Sequence, residues 1–214
     1  MATSSTPAVT FHDLAYLPLL RTVKTAIHIT TKAQQHVAAH PDGISEADLV
    51  TARLVDDMYP FHEQLFQLRK NVSQTLARLR DGGRSPAVDP VRAENVTTFA
   101  QCLAYLHDAI GELTAAAGAD SSAAGSLFAD SQAAATIKVE YGPLAVEVTG
   151  KQLVEGMMLP NAYFHLTTAY GILRSRGVPV GKADYMGAFF SDFVDMEKVK
   201  AASAQLAAAK AKGQ

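Results

Sequence analysis

Seven histidines are the side chains here best suited to chemistry near neutral pH: His12, His28, His36, His40, His62, His107 and His165. An imidazole can carry a proton or hold a metal. His36 and His40 stand four residues apart, an interval that puts two imidazoles on one helix face, but Pro41 follows at once. That pair falls on a helix end and makes a poor enclosed site. His12 and His107 read as surface or rim residues, and His28, after the apolar Ile27, as partly buried. His62 and His165 differ from these. His62 lies on the first turn of an expected helix, beside Phe61. His165 lies in mid-helix, inside YFHLTTAY, among aromatic and small residues. At helical spacing Asn161, His165 and Thr168 share a face, with Thr167 and Tyr170 on adjacent faces. A buried imidazole needs hydrogen-bond partners. Two readings follow for His165: a satisfied core histidine, or a ligand or general base in a pocket of the core.

Other reactive types have plainer readings. Cys102 lies beside an apolar helix stripe and reads as a small buried hydrophobe. Met157 and Met158 read as core packing. Asp56 and Asp57 precede a helix start, where carboxylates serve capping and the helix dipole. Lys182-Ala183-Asp184 reads as a turn with an ion pair. The sequence has no GxxxxGK[ST] or GxGxxG, so it has no phosphate-cradling loop of those types.

The elements that must position these residues follow from hydrophobic periodicity. A first long helix spans about residues 18–39, with Leu19, Val23, Ile27 and Ala33 on one face, and stops at His40-Pro41-Asp42-Gly43. Ser45 and Asp48 resemble a capping box for a short helix near 46–51. A second long helix, about 60–80, carries Phe61, Leu65, Leu68, Val72, Leu76 and Leu79, with Pro60 in its first turn. A loop over 82–95 leads to a third, about 96–117, with Phe99, Leu103, Leu106, Ile110 and Leu113. Residues 118–135 read mostly as loop. The period then drops to two through Ile137, Val139 and Tyr141, and again through Leu144, Val146 and Val148, which predicts a β-hairpin. A fourth helix, about 150–176, contains Pro160, which should kink or divide it. Residues 177–190 read as a turn-rich apolar segment, and the Ala- and Lys-rich tail from Asp195 as a weakly attached helix.

The composition agrees with a helical domain. Hydrophobic residues make up 48% of the 214 residues and charged ones 19%. The net charge of −2, with no basic run, gives a nucleic acid little to hold. The single cysteine excludes an internal disulfide and a cysteine-based zinc cluster. No apolar run is long enough to span a membrane, and no export signal is evident, so a cytoplasmic location is expected. The fold expected is all-α: an up-and-down four-helix bundle with a short β-hairpin before the last core helix and an extra C-terminal helical tail.

The segment LPNAYFHLTTAYGILRSRGVPVGKADYMG, residues 159–187, resembles the C-terminal signature of a domain family of bacteria and fungi, a branch of the DinB/YfiT-like metalloenzyme superfamily. The stretch from Ala52-Arg53-Leu54 to Asp57-Met58-Tyr59-Pro60 is similar to a second signature of that family. With the order of helices, the resemblance covers about residues 11–190, leaving residues 1–10 as a disordered N-terminus and 191–214 as the tail. It implies a DinB-like bundle and a divalent metal, zinc or nickel, held by one histidine of the second helix and an HxxxH pair of the fourth. Carried onto this chain, the ligands are His62, Asn161 and His165, with asparagine where the first histidine of the pair would stand. A carboxamide oxygen is a weak ligand for these metals, so weaker binding is implied. The resemblance further implies a small molecule in the bundle core. His165 and Tyr170 would be catalytic there, with Asn161, Tyr163, Thr168 and Tyr59 contacting the ligand. Chemistry of the transferase, isomerase or hydrolase type is the expectation, with a homodimer; the alternative is a non-catalytic ligand-binding or dimerisation module.

Overall fold

The computed structural model describes residues 8–84, 96–118, 125–141, 143–195, 198–199, 201–202 and 205. The expected disorder of residues 1–7, the loop over 85–95, the stretch 119–124 and most of the helical tail lie outside the described residues.

Four long helices form the body, as periodicity predicts. A π-helical turn, His12–Tyr16, leads into α1, Leu17–Ala39, which buries Leu19, Val23, Ala26, Ile29 and Ala33. The short α2, Glu46–Val50, is capped by Ser45, whose hydroxyl accepts from the Asp48 N–H at 3.1 Å. The long α3, Phe61–Asp81, buries the whole predicted stripe from Phe61 to Leu79 and ends at Gly82 in the left-handed conformation. A capping box of Thr98 and Gln101 starts α4, Phe99–Ala117. The buried stripe of α4 runs through Phe99, Cys102, Leu106, Ala109 and Leu113, so Leu103 and Ile110 fall on its edges. α3 packs between α4 and α7 (Leu159–Ser175), while α1 closes the ring against α4 and α7.

Several local expectations are corrected. Pro60 is the N-cap of α3 and not part of its first turn. Asp56 and Asp57 are exposed and do not cap that helix. Residues 125–135 are mostly irregular, as read, but Phe128 is fully buried and a short helix, α5, Asp130–Ala133, follows it. Asp130 accepts from the Phe11 N–H at 2.6 Å, tying the segment to the start of the bundle. Residues 182–190 are helical: α8, Lys182–Phe190, packs on α1. Asp184 accepts from the Gly181 N–H at 2.7 Å and so caps it. The ion pair of Asp184 is with Lys32 of α1, not with Lys182, and it also holds His28, which is exposed and not partly buried.

The hairpin is as read: β1, Thr136–Tyr141, pairs antiparallel with β2, Leu144–Thr149, setting Ile137 opposite Val148 and Val139 opposite Val146. Two strands alone are marginal. These are fastened to the end of α3, where the Lys138 N–H donates to Gly82 O at 3.2 Å. Gly83 must be glycine there: its φ is +75°, and a Cβ would come within 2.0 Å of Lys138 O.

After the hairpin, α6, Gly150–Leu153, runs through a π-helical turn, Val154–Met158, into α7. In that turn the Leu159 N–H reaches back to Val154 O. Pro160, which has no N–H to donate, follows directly, so the break predicted at Pro160 takes the form of a widened turn.

Candidate functional site

The site lies along the seam of α3 and α7. Two polar bonds cross it: Asn71 Nδ2 donates to Met158 O at 2.7 Å, and Gln64 Oε1 lies 2.7 Å from His165 Nδ1. Both pairs step by seven residues in opposite chain directions, so the helices run antiparallel with two turns between the bonds. The face of α3 turned to the seam carries Glu63, Gln64 and Asn71, all buried, within a mostly apolar helix stripe that also holds Thr75.

His165 is 8% exposed and is the one buried histidine among the described residues. Burial pushes its pKa down to about 4, against an opposing pull from the Glu63 carboxylate. The imidazole is therefore neutral at physiological pH. Gln64 is 1% exposed, and its Nε2 donates to Tyr59 O at 2.9 Å. Glu63 accepts from Gln67 Nε2 at 2.8 Å. The ring of Phe164 meets that of His165 edge-on, with centroids 5.3 Å apart.

His62 is half-buried on the first turn of α3. Burial lowers its pKa, Glu63 raises it and Arg53 lowers it, with a net downward shift. His62 and His165 thus share the field of one carboxylate, Glu63. Asn161 is exposed on α7, one turn before the buried His165, so the face predicted to join them divides at the protein surface. Among the described residues no three His, Cys, Asp or Glu side chains converge as a metal would require. Of the expected donors, His165 is fixed in the seam, while His62 and Asn161 are not brought to it by any bond of their own.

The remaining expected residues gather elsewhere. Tyr163, Phe164, Thr168, Tyr170 and Gly171 of α7 face Leu54 and Met58 across an open groove of about 700 Å³. Thr168 is buried, its hydroxyl donating to Phe164 O at 2.8 Å. Tyr163 packs on Phe189, and Tyr170 on Tyr185, both of α8, at 6.1 and 5.9 Å between centroids. Burial raises the pKa of the Tyr163 hydroxyl, as does nearby Tyr185, while Arg21 opposes. Tyr59 is exposed, and its contribution to the seam is its carbonyl, not its ring. Cys102 is fully buried with its pKa pushed up to about 12 by burial, which makes it inert packing.

Gln64 and Glu63 are the residues that sequence reasoning passes over. For Gln64 a signal was present: Gln64 and Asn71, seven apart, interrupt an apolar stripe on the same helix face, and such groups need buried partners.

The helical bundle with a hairpin before its last core helix is DinB-like by structural comparison. A solved structure of a DinB family member protein from Shewanella denitrificans is similar at a TM-score of 0.65 and 27% identity, over 82% of this chain and 90% of that one. The family model of DUF1993, a domain of unknown function, matches residues 11–186, and the chain belongs to that family. No curated protein matches the sequence. Among the described residues no helix is long and apolar enough to cross a membrane.

Proposed function

We propose that the α3–α7 seam is a small-molecule site in which His165 offers an electron pair to a ligand. The observation that supports this is a buried imidazole held through Nδ1 by Gln64, in surroundings that disfavour its protonation. A group with a pKa near 4 is a weak general base, since the most effective bases titrate near the working pH. Its better use is as a hydrogen-bond acceptor or a ligand to a cation. Tyr163, Thr168 and Tyr170 would then orient the apolar part of the ligand in the adjacent groove, with Tyr59 and Asn161 at its rim. Reaction classes of the transferase, isomerase or hydrolase type are compatible with such a site.

A divalent cation such as zinc or nickel meets one ready nitrogen here. His62 and Asn161 would have to turn inward to complete the hold, so this donor set fits a metal only in part, and no chemical step is derived through one. The test is zinc titration of metal-stripped protein by calorimetry, beside the His165→Ala variant. Weak binding by the wild type that is lost in the variant is expected; equal binding by both proteins would remove His165 from the site.

A second reading, a non-catalytic binding or dimerisation module, draws on one observation. Leu54 and Phe164, large apolar residues that line the groove, are both exposed. Light scattering across the micromolar range tests it: a dimer that Phe164→Asp dissociates is the expected result for a module, and a monomer throughout discards it.

A further inference from the structure

We propose that Gln64 is a positioning residue: it fixes which nitrogen His165 presents, and so restricts ligands at this site to groups that accept an electron pair. The inference deepens the reading of His165 as an electron-pair donor and rests on it for the ligand class. The Gln64 carboxamide has two different ends, and its surroundings decide their placement. Tyr59 O is a carbonyl and can only accept, so the group 2.9 Å from it must be the amide N–H of Gln64. The opposite end, 2.7 Å from His165 Nδ1, is then the amide oxygen, which also only accepts. Nδ1 must therefore carry a hydrogen and donate it. A neutral imidazole has one N–H, and in this arrangement it is spent on Gln64. Nε2 is left with its lone pair, and no protein group among the described residues bonds to it.

This relay begins at a backbone carbonyl. Tyr59 lies just before Pro60, the N-cap of α3, and the Phe61 N–H donates to Ala52 O at 2.8 Å. The carbonyl that orients Gln64 is thus held by the main chain at the start of the same helix. A side chain that fixes one imidazole nitrogen sets the tautomer and the basicity of the other. The consequence is chemical selectivity. A neutral Nε2 bonds an O–H or N–H donor, or a metal cation, and it repels a carboxylate or phosphate oxygen. Glu63 on the same seam adds to that repulsion. The ligand class is therefore a neutral donor-bearing molecule or a cation, not an anion.

The experiment is long-range proton–nitrogen NMR on protein labelled with nitrogen-15 in histidine, at neutral pH, with the His165→Ala variant used for assignment. For wild type the expected spectrum shows Nδ1 protonated and Nε2 bare. A protonated Nε2 overturns the proposal without any variant. In Gln64→Met, which keeps the volume and loses the acceptor, His165 should populate both tautomers; an unchanged spectrum in a folded Gln64→Met variant also overturns it. The ligand arm uses 2-naphthol, 2-naphthoate and zinc as probes. At least tenfold weaker binding of naphthoate than of naphthol is expected, and the preference should shrink in Gln64→Met. Equal or tighter naphthoate binding overturns the ligand class. If none of the probes binds, the electron-pair-donor reading of His165 and the ligand class fail, while the tautomer result still decides the role of Gln64.

Discussion

Two seams of this bundle handle polar groups in opposite ways. Between α3 and α7 the bonding groups are uncharged: an amide on a carbonyl, an amide on an imidazole. They are buried, and burial holds the imidazole neutral. Between α1 and α8 the centre is an ion pair partly open to solvent, Asp184 with Lys32, and Asp184 also bonds His28, at 2.9 Å each. Burial there raises the Asp184 carboxyl, but the bonds from Lys32, His28 and the Gly181 N–H outweigh it and hold the pKa below the usual range. The same residue type, histidine, is buried and neutral in one seam and an exposed clip in the other. Depth decides this, because a charge costs little where water can reach it and much where it cannot.

The largest effect should come from protons at His165. Its pKa falls from 6.5 in the unfolded chain to about 4 in the fold, so between these values the unfolded state binds more protons. Stability is then full above pH 6.5, declines as pH drops towards 4, and levels off below. The total is about 3 kcal/mol for this single group. Denaturant melts from pH 7.5 to 4, for wild type and His165→Gln, measure it; a slope unchanged in the variant would assign the loss to other groups.

Next in size is the other bond of the seam. Asn71→Ala leaves the Met158 carbonyl without its donor, at a cost of about 1–2 kcal/mol. The lower end is expected, because Asn71 Oδ1 is itself buried without a partner, so the substitution also removes an unmet acceptor. Chemical denaturation reads this directly, and a neutral or stabilised variant would mean the amide contributes nothing net. Asp184→Ala in the outer seam should cost about 1 kcal/mol, chiefly through the lost cap of α8 at Gly181. It should loosen α8 first, seen as faster amide exchange over residues 182–190 with α3 unchanged. The smallest difference is in salt. Moving from about 0.1 to 1 M shortens the screening length from about 10 to 3 Å. The Asp184→Ala cost should shrink by a few tenths of a kcal/mol, and the Asn71→Ala cost should not change. Equal salt sensitivity at both positions would erase the contrast between the seams.

The long helices were legible because each carries a continuous apolar stripe, as from Phe61 to Leu79 in α3. The hairpin was legible because its period changes to two. α8 was not, since KADYMGAFF has no sharp stripe and all its residues stay partly exposed. Its one local sign was Gly181 with Asp184 three residues on. His165 stood out by its neighbours, but what holds it was hidden. Gln64 is an ordinary residue until the antiparallel pairing of two helices, a hundred residues apart in sequence, puts it beside the ring. Asn161 was placed with His165 by ideal helical spacing, yet the edge of the packed surface falls between them.

The widened turn at Val154–Met158 governs more than its own five residues. It behaves like a one-residue insertion held inside a helix, and one residue of helix corresponds to about 100° of rotation. Everything downstream inherits that angular phase. A deletion here, for example of Gly156, would swing a different side chain of α7 onto Gln64 and carry the imidazole away, with every site residue still present in the sequence. The acid sensitivity tied to His165 would vanish with it. Changing the side chain that faces Gln64 need not touch the histidine at all: a change of length upstream would suffice.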